Sequence, residues 1–460
     1  ASPSPPMPTS MTPAGRARLA GLALLATAAV AAWAFWPRAD PAPLPEDVAQ
    51  IAPSAEFADA EAAVDYYRAV LRRSPEAVEA RVRLAHALLQ HARTTGRETE
   101  HIPEAHRLLD EALDRDPQHY YGRTLLASLY NTLHRFEDAR DLSLALLEEH
   151  PHHAYTWGTL VDAYVELGAY EEAVEASDRM LAIRPGLPSY SRAAYLRELH
   201  GDAEGARAAM RLAVDAEATG RESRAWALAE LAHLYLAEAK PDTAAFLFEG
   251  VLEERPGFAP ARAGLAHVAL AQGDADGAIA QLEAARAEDP HPLYDELLIE
   301  AYALAGDDRR AAAASDRVLR SLYDARAMGE IVDMEEADLL ADLDRDLDRV
   351  LRLAEEQVAR RPGHLHANET YAWALYKNGR AAEGIPSIER ALRLNTGDAM
   401  VHYRAARIYE AAGRPAEAAR HLRAALDGNL HIESPTTAQE ARTLLAALGG
   451  GPPVQAASVR

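Results

Sequence analysis

Residues 154–185, AYTWGTLVDAYVELGAYEEAVEASDRMLAIRP, decide how this chain folds. Trp157, Leu160 and Tyr164 stand three and four apart, which puts them on one face of a first helix. Gly168 falls where that helix needs a left-handed residue to end. A second helix then carries Ala173 and stops at Pro185, twelve residues later. The stretch is one helical hairpin, and its closing proline recurs. Pro117, Pro151 and Pro185 are 34 residues apart, and Pro256 to Pro290 and Pro362 to Thr396 repeat the step. Pro185 to Pro256 is 71 residues and Pro290 to Pro362 is 72, each two units plus a few residues, while Pro75 to Pro117 is one unit with an eight-residue insertion. A fixed period of this length marks stacked helical hairpins.

Each unit has the same interior. Twelve residues before the closing residue sits a small one, Ala63, Ala105, Ala139, Ala173, Ala244, Ala278 or Gly384, where the two helices of a hairpin can approach closely. Tyr67, Leu109, Phe248 and Leu282 follow four positions later and are expected to fill the seam between units. Leu126 with Tyr130, Leu160 with Tyr164 and Leu231 with Tyr235 mark first helices, and Gly201, Gly273, Gly306, Gly379 and Gly413 repeat the turn of Gly168. These units resemble tetratricopeptide repeats, whose pattern runs W-x2-L-G-x2-Y, then A-x3-F, then P. Trp157, Leu160, Tyr164, Ala173 and Pro185 match it, with Val161 in place of the pattern's glycine. The similarity covers roughly residues 60–430. Three units depart from it: 188–220 lacks the closing proline, 293–321 is one residue short, and 331–362 has Val350 and Gln357 where small residues belong.

The resemblance implies an all-α solenoid of about ten repeats. Composition agrees, since 49% hydrophobic content supports a continuous core and 6% aromatics suits closely packed helices. At 460 residues one globular core would be unusual, whereas a solenoid has no such limit. The net charge of −23 argues against nucleic acid and anionic membrane surfaces as partners of the repeats, and favours a basic or neutral polypeptide. Lys240 and Lys377 are the lysines; the remaining positive charge is arginine, a usage that with abundant alanine suggests a high-GC bacterial genome. The chain has no cysteine, which excludes disulfides, thiolate metal sites and a cysteine nucleophile.

Residues 1–15, rich in Ser, Pro and Thr, are expected to be disordered. Arg16 and Arg18 precede an uncharged run from Leu19 to Trp36 of eighteen residues, enough to cross a bilayer, with Trp33 and Trp36 where an aromatic belt would sit. Residues 16–36 therefore read as a transmembrane or signal-anchor helix, with the N-terminus cytoplasmic and the repeats exported; the alternative is a cleaved secretory signal with Ala32-Trp33-Ala34 as its site. Residues 37–57, with five prolines, read as a semi-rigid spacer before a solenoid at 58–433, a capping helix at 434–448 with Thr437 and Glu440 at capping-box spacing, and a flexible tail at 449–460.

Clusters that invite catalysis or metal binding read otherwise. His150, His152 and His153, and His364 and His366, have loop-like spacing and are expected as solvated turn histidines. Asp344, Asp346 and Asp348 match the start of a calcium loop, but Arg349 stands where that loop needs glycine, and Leu339, Leu343, Leu347 and Val350 keep helical spacing, so a solvated helix face is expected. No P-loop, dinucleotide fingerprint, nucleophile elbow or zinc-protease helix occurs, and neither cofactor nor metal nor enzymatic activity is expected.

The resemblance implies instead that exposed positions of the first helices line a concave groove that binds a partner. Those positions hold Tyr121 and Asn131, Tyr155 and Asp162, Arg192, Trp226 and His233, His267, then His366, Trp373 and Tyr376, and Tyr403 and Arg407. The lysine–asparagine clamp for a C-terminal carboxylate is not evident. The expected function is a non-enzymatic adaptor of the bacterial cell envelope, with a self-assembling structural protein as the alternative and an enzyme regulator as a third reading.

Overall fold

The computed structural model describes residues 60–95 and 97–449. Helices account for all their regular structure, and no strand occurs among the described residues. They are α1 (Ala60–Arg73), α2 (Val78–Thr95), α3 (Glu98–Arg115), α4 (Tyr120–Thr132), α5 (Phe136–Glu149), α6 (Ala154–Leu167), α7 (Tyr170–Ile183) and α8 (Leu187–Leu199). Next come α9 (Ala203–Asp215), α10 (Glu222–Ala237), α11 (Pro241–Glu254), α12 (Ala259–Ala271), α13 (Ala275–Glu288), α14 (Pro292–Leu304) and α15 (Asp308–Ala327). The last are α16 (Asp333–Asp342), α17 (Leu347–Arg360), α18 (Leu365–Lys377), α19 (Ala381–Ala391), α20 (Ala399–Ala411), α21 (Pro415–Asp427), the one-turn α22 (Leu430–Glu433) and α23 (Pro435–Ala447). The apolar run at 19–36, the spacer and the tail beyond 449 lie outside the described residues. Among the described residues no helix is long and apolar enough to cross a membrane.

From α2 onward consecutive helices pair as hairpins, and the first helix of a unit also packs on the first helix of the next, as α6 does on α4 and α8. The small residues sit at these crossings. Ala105, Ala139, Ala173, Ala244 and Ala278 are fully buried, and a side chain on Gly384 would crowd the backbone of Ala372. Tyr67, Leu109, Phe248 and Leu282 fill the seams, each without exposed surface. The hairpin turns are left-handed at Gly168, Gly201, Gly273, Gly306, Gly379 and Gly413, and His134, Ala239 and Asp344 take the same conformation where glycine is absent.

The irregular units differ in instructive ways. Residues 187–215 form a regular hairpin without a closing proline. The unit read as one residue short instead extends its second helix, α15, to twenty residues. In the unit from 331, α16 has only ten residues, and Val350 and Gln357 are nonetheless buried. The expected solvated helix face at 344–348 is corrected: Asp344 and Asp346 lie in a left-handed turn that breaks the helix between α16 and α17, and Lys377 pairs with Asp344 at 2.7 Å. The final helix α23 is capped by Ser434, whose hydroxyl accepts from Thr437 N at 3.2 Å, while Glu440 turns away to accept from Tyr403.

The helices from α16 onward form a second arc that returns to the first. Ile331 N donates to Leu133 O (3.2 Å), Leu365 N to the Tyr170 hydroxyl (2.9 Å) and Arg393 to Gly168 O (3.2 Å). Val161, Tyr170 and Leu199 of the first arc share one apolar core with Leu365, Ile388 and Tyr409 of the second. Farther along, α22 lies against α12, and Thr436 at the start of α23 donates to Glu300 in α14 through both its N–H and its hydroxyl. His364 is accordingly not a solvated turn histidine: it is buried at this junction, 3.6 Å from Glu166.

Candidate polypeptide-binding cavity

Where the second arc begins, α14, α15, α16, α18, α20 and α23 surround a cavity of about 760 Å³. Four groove positions meet on its wall. Trp373 and Tyr376, three apart on α18, stack with ring centroids 4.7 Å apart. Arg407 on α20 donates to the hydroxyls of both Tyr376 and Tyr403 at 2.7 Å, and Tyr403 donates on to Glu440 at 2.9 Å. Burial pushes the Tyr403 hydroxyl up to about 12, so it stays a donor at neutral pH. Behind this wall Arg404 is almost wholly buried, holding Asp338 (2.7 Å), Asp342 (2.9 Å) and Glu369 (3.2 Å). Trp373 Nε1 donates to Asp342 at 2.8 Å, which ties the aromatic stack to the same network. Rotamers held this firmly present a pre-organised surface.

Charge in the cavity is lopsided. Eight carboxylates line it, Glu296, Glu300, Glu335, Asp338, Asp342, Asp344, Glu433 and Glu440, against Lys377, Arg404 and Arg407. Those three cations already face acids of the chain. Glu300 by contrast accepts from the neutral Thr436, and burial pushes the Glu296 carboxyl up from its ordinary range. An entering cation would relieve that cost, and a second anion would add to it.

The other groove positions are arranged differently. Tyr121 receives a hydrogen bond from or gives one to His86 Nδ1 (2.8 Å) and lies under Arg83. Asn131 donates to Thr159 O at 2.9 Å, and Asp162 holds Arg192 through both oxygens at 2.8 and 2.6 Å. His233 and His267 face each other with centroids 6.1 Å apart, both pushed down to about 4 by burial. Each of these links one unit's first helix to its neighbour's. Trp226 packs against the core of α8–α10, Tyr155 is about half exposed, and His366 lines a separate, smaller cavity. Sequence reasoning passed over Arg404 and its acids. The signal available was the four-residue spacing of Asp338 and Asp342, which puts both on one face of α16 opposite α20.

Two family models, each described as tetratricopeptide repeat, match the chain, one over residues 97–154, 124–188 and 351–432 and the other over 235–299. Among solved structures, a tetratricopeptide repeat protein of Thermus thermophilus is 21% identical, covering 45% of this chain and 98% of that one with a TM-score of 0.36. One from Parabacteroides merdae is 16% identical over 57% of this chain and 98% of that one, TM-score 0.33. PilW, titled a type IV pilus biogenesis factor, is 15% identical over 45% and 96%, TM-score 0.37. No curated protein matches.

Proposed function

Because the chain belongs to the tetratricopeptide repeat family, whose repeats serve as interaction scaffolds, we propose that it is a non-enzymatic adaptor that binds a basic or neutral polypeptide in the cavity at the start of the second arc. The observation that carries this reading is the pairing of a rigid aromatic wall, Trp373, Tyr376 and Tyr403, with an excess of carboxylates in one space of about 760 Å³. Aromatic side chains supply contact area at small entropic cost, and the excess acids select a partner segment carrying arginine or lysine. A fluorescent peptide panel differing only in charge tests it: the arginine-bearing peptides bind with an affinity that falls as salt rises, and glutamate-bearing peptides do not. Equal binding of both sets refutes the reading.

The site of action we place in the bacterial cell envelope. Its support is the order of residues 16–36, two arginines before eighteen uncharged residues, which favours export of the repeats. A reporter active only outside the cytoplasm, fused after Arg460, is expected to be active. A silent reporter alongside a working cytoplasmic one refutes export.

A further inference from the structure

The second arc meets the first along a line of turns, and one stretch of that junction is hollow. A cavity of about 240 Å³ lies there, faced from the first arc by Glu198 on α8 and Glu238 just after α10, and from the second by His366 on α18, Asp398 before α20 and Glu433 on α22. On one side of it Leu365 N reaches the Tyr170 hydroxyl, and a side chain on Gly201 would strike the carbonyl oxygen of Asn395. The hollow is thus a gap in a closed seam, lined by carboxylates of both arcs.

The charged neighbours of this gap are spoken for unevenly. Glu238 pairs with Arg207 and with Lys240, and His366 with Glu369 at 2.9 Å. Asp398 accepts from Val401 N at 2.9 Å as the cap of α20, and Glu433 accepts from Asn429 at 2.7 Å. The neighbours of Glu198 are Glu230 on α10 and Asp398, both of its own sign, with the phenol of Tyr195 beside it in the wall. Beyond the gap, Glu166 of the first arc faces Arg361 (3.5 Å) and His364 (3.6 Å) of the second.

We propose that this junction is a pH-governed latch, in which repulsion among ionised Glu198, Asp398 and Glu433 lifts the second arc from the first. The latch shares Glu433 with the larger cavity, whose walls also come from both arcs, so the distance between the arcs is read with no peptide bound. Its sign is set by burial. Glu198 is pushed up to about 7, Glu230 to about 7 and Glu433 to about 8, so the closed form holds protons that an opened form releases. Closure therefore weakens as pH rises from the ordinary carboxyl range through 7 and 8. Glu166, raised by burial, acts in the same sense. Against burial, Glu369 holds His366 up at about 9, and since both stand on α18 this pair persists when the arcs part and leaves the balance of closure unchanged. His364 opposes on the acid side: burial keeps it neutral, so it works against closure once pH falls below the ordinary imidazole range near 6.5. The opposing effects balance, and the latch is tightest, at about pH 4–5, in the ordinary carboxyl range.

The chain has no cysteine, so a spin-label pair can be placed at Glu172→Cys and Glu389→Cys, exposed positions on α7 and α19 that flank the seam. In the full chain, pulsed electron resonance should show one short distance at pH 6. A longer one should grow in by pH 8, with the open-to-closed ratio rising on the order of tenfold or more. Helicity by circular dichroism should stay constant over that range. Glu198→Gln/Glu433→Gln should hold the short distance throughout. Asp398→Asn, which keeps a capping side chain on α20, should move the transition to higher pH if the double variant does not fold. A distance distribution identical at pH 6 and pH 8 overturns the latch, as does opening unchanged in the carboxamide variants.

Discussion

Gly168 and Gly363 touch backbone to backbone: a Cβ added to either would fall inside the peptide group of the other, so the two arcs close on a pair of residues that must both be glycine. Gly168 also sits at φ 72°, in the left-handed region. Gly413 has nearly the same φ, 74°, with nothing near the place of its Cβ. The pair isolates contact from conformation. Gly413→Ala should cost about 1 kcal/mol. Gly168→Ala should cost about 2–4 kcal/mol, since the backbone of Gly363 cannot give way. Urea unfolding of both variants measures the difference, and equal costs would remove the contact between the arcs.

A second prediction concerns the seam between units. The ring of Phe248 fills the space where a Gly264 side chain would stand. Phe248→Ala should cost about 3–5 kcal/mol, and Gly264→Ala about 1–3 kcal/mol. Combined, they should cost less than the sum, because the added methyl enters the cavity the ring has left. Strict additivity in thermal unfolding would place the two residues apart.

Arg404 is the hinge of the acidic network. Removing its charge in Arg404→Met leaves Asp338, Asp342 and Glu369 facing one another, with an expected loss of about 3–5 kcal/mol. Arg404→Lys should recover little, since an ammonium cannot span three carboxylates as a planar fork does. Full recovery by lysine would show that charge alone suffices.

Acid should destabilise the C-terminal hairpin through His421. Burial first, then His402 at 2.9 Å and Arg420, push it down to about 4. The unfolded chain binds a proton there near pH 6.5 and the folded one does not, so stability is complete above 6.5 and falls as pH drops toward 4. His421→Gln should flatten the midpoint's pH dependence across that window by up to about 1.4 kcal/mol per pH unit. An unchanged slope would put the acid sensitivity elsewhere.

The hairpins are legible in the sequence because each obeys local rules. A proline stops a helix, a glycine turns it, and a small residue lets its partner approach, so the 34-residue spacing of Pro117, Pro151 and Pro185 displays the repeat directly. The period does not carry the return of the second arc. Gly168 and Gly363 lie 195 residues apart, and nothing in either unit's pattern distinguishes a turn that faces solvent from one that meets another turn. His364 reads as a solvated turn residue for that reason, although it is buried. The groove positions fare in proportion to locality. Trp373, Tyr376, Tyr403 and Arg407, on two adjoining first helices, do meet, whereas Asp162 and Arg192 are engaged with each other. Arg404, adjacent in sequence to Tyr403, is invisible to a local reading because its partners come from α16 and α18.

A partner segment seated in the aromatic cavity is read by anisotropy titration of one arginine-bearing peptide against three proteins. Tyr376→Ala removes a wall residue, and Glu296→Gln/Glu440→Gln removes charge while keeping shape. Wild type should bind. Tyr376→Ala should lose at least about 2 kcal/mol of affinity, roughly thirtyfold, and the double carboxamide variant should bind more weakly with a shallower salt dependence. Undiminished binding by both variants, with helicity intact, would contradict the account and move the partner surface away from this cavity.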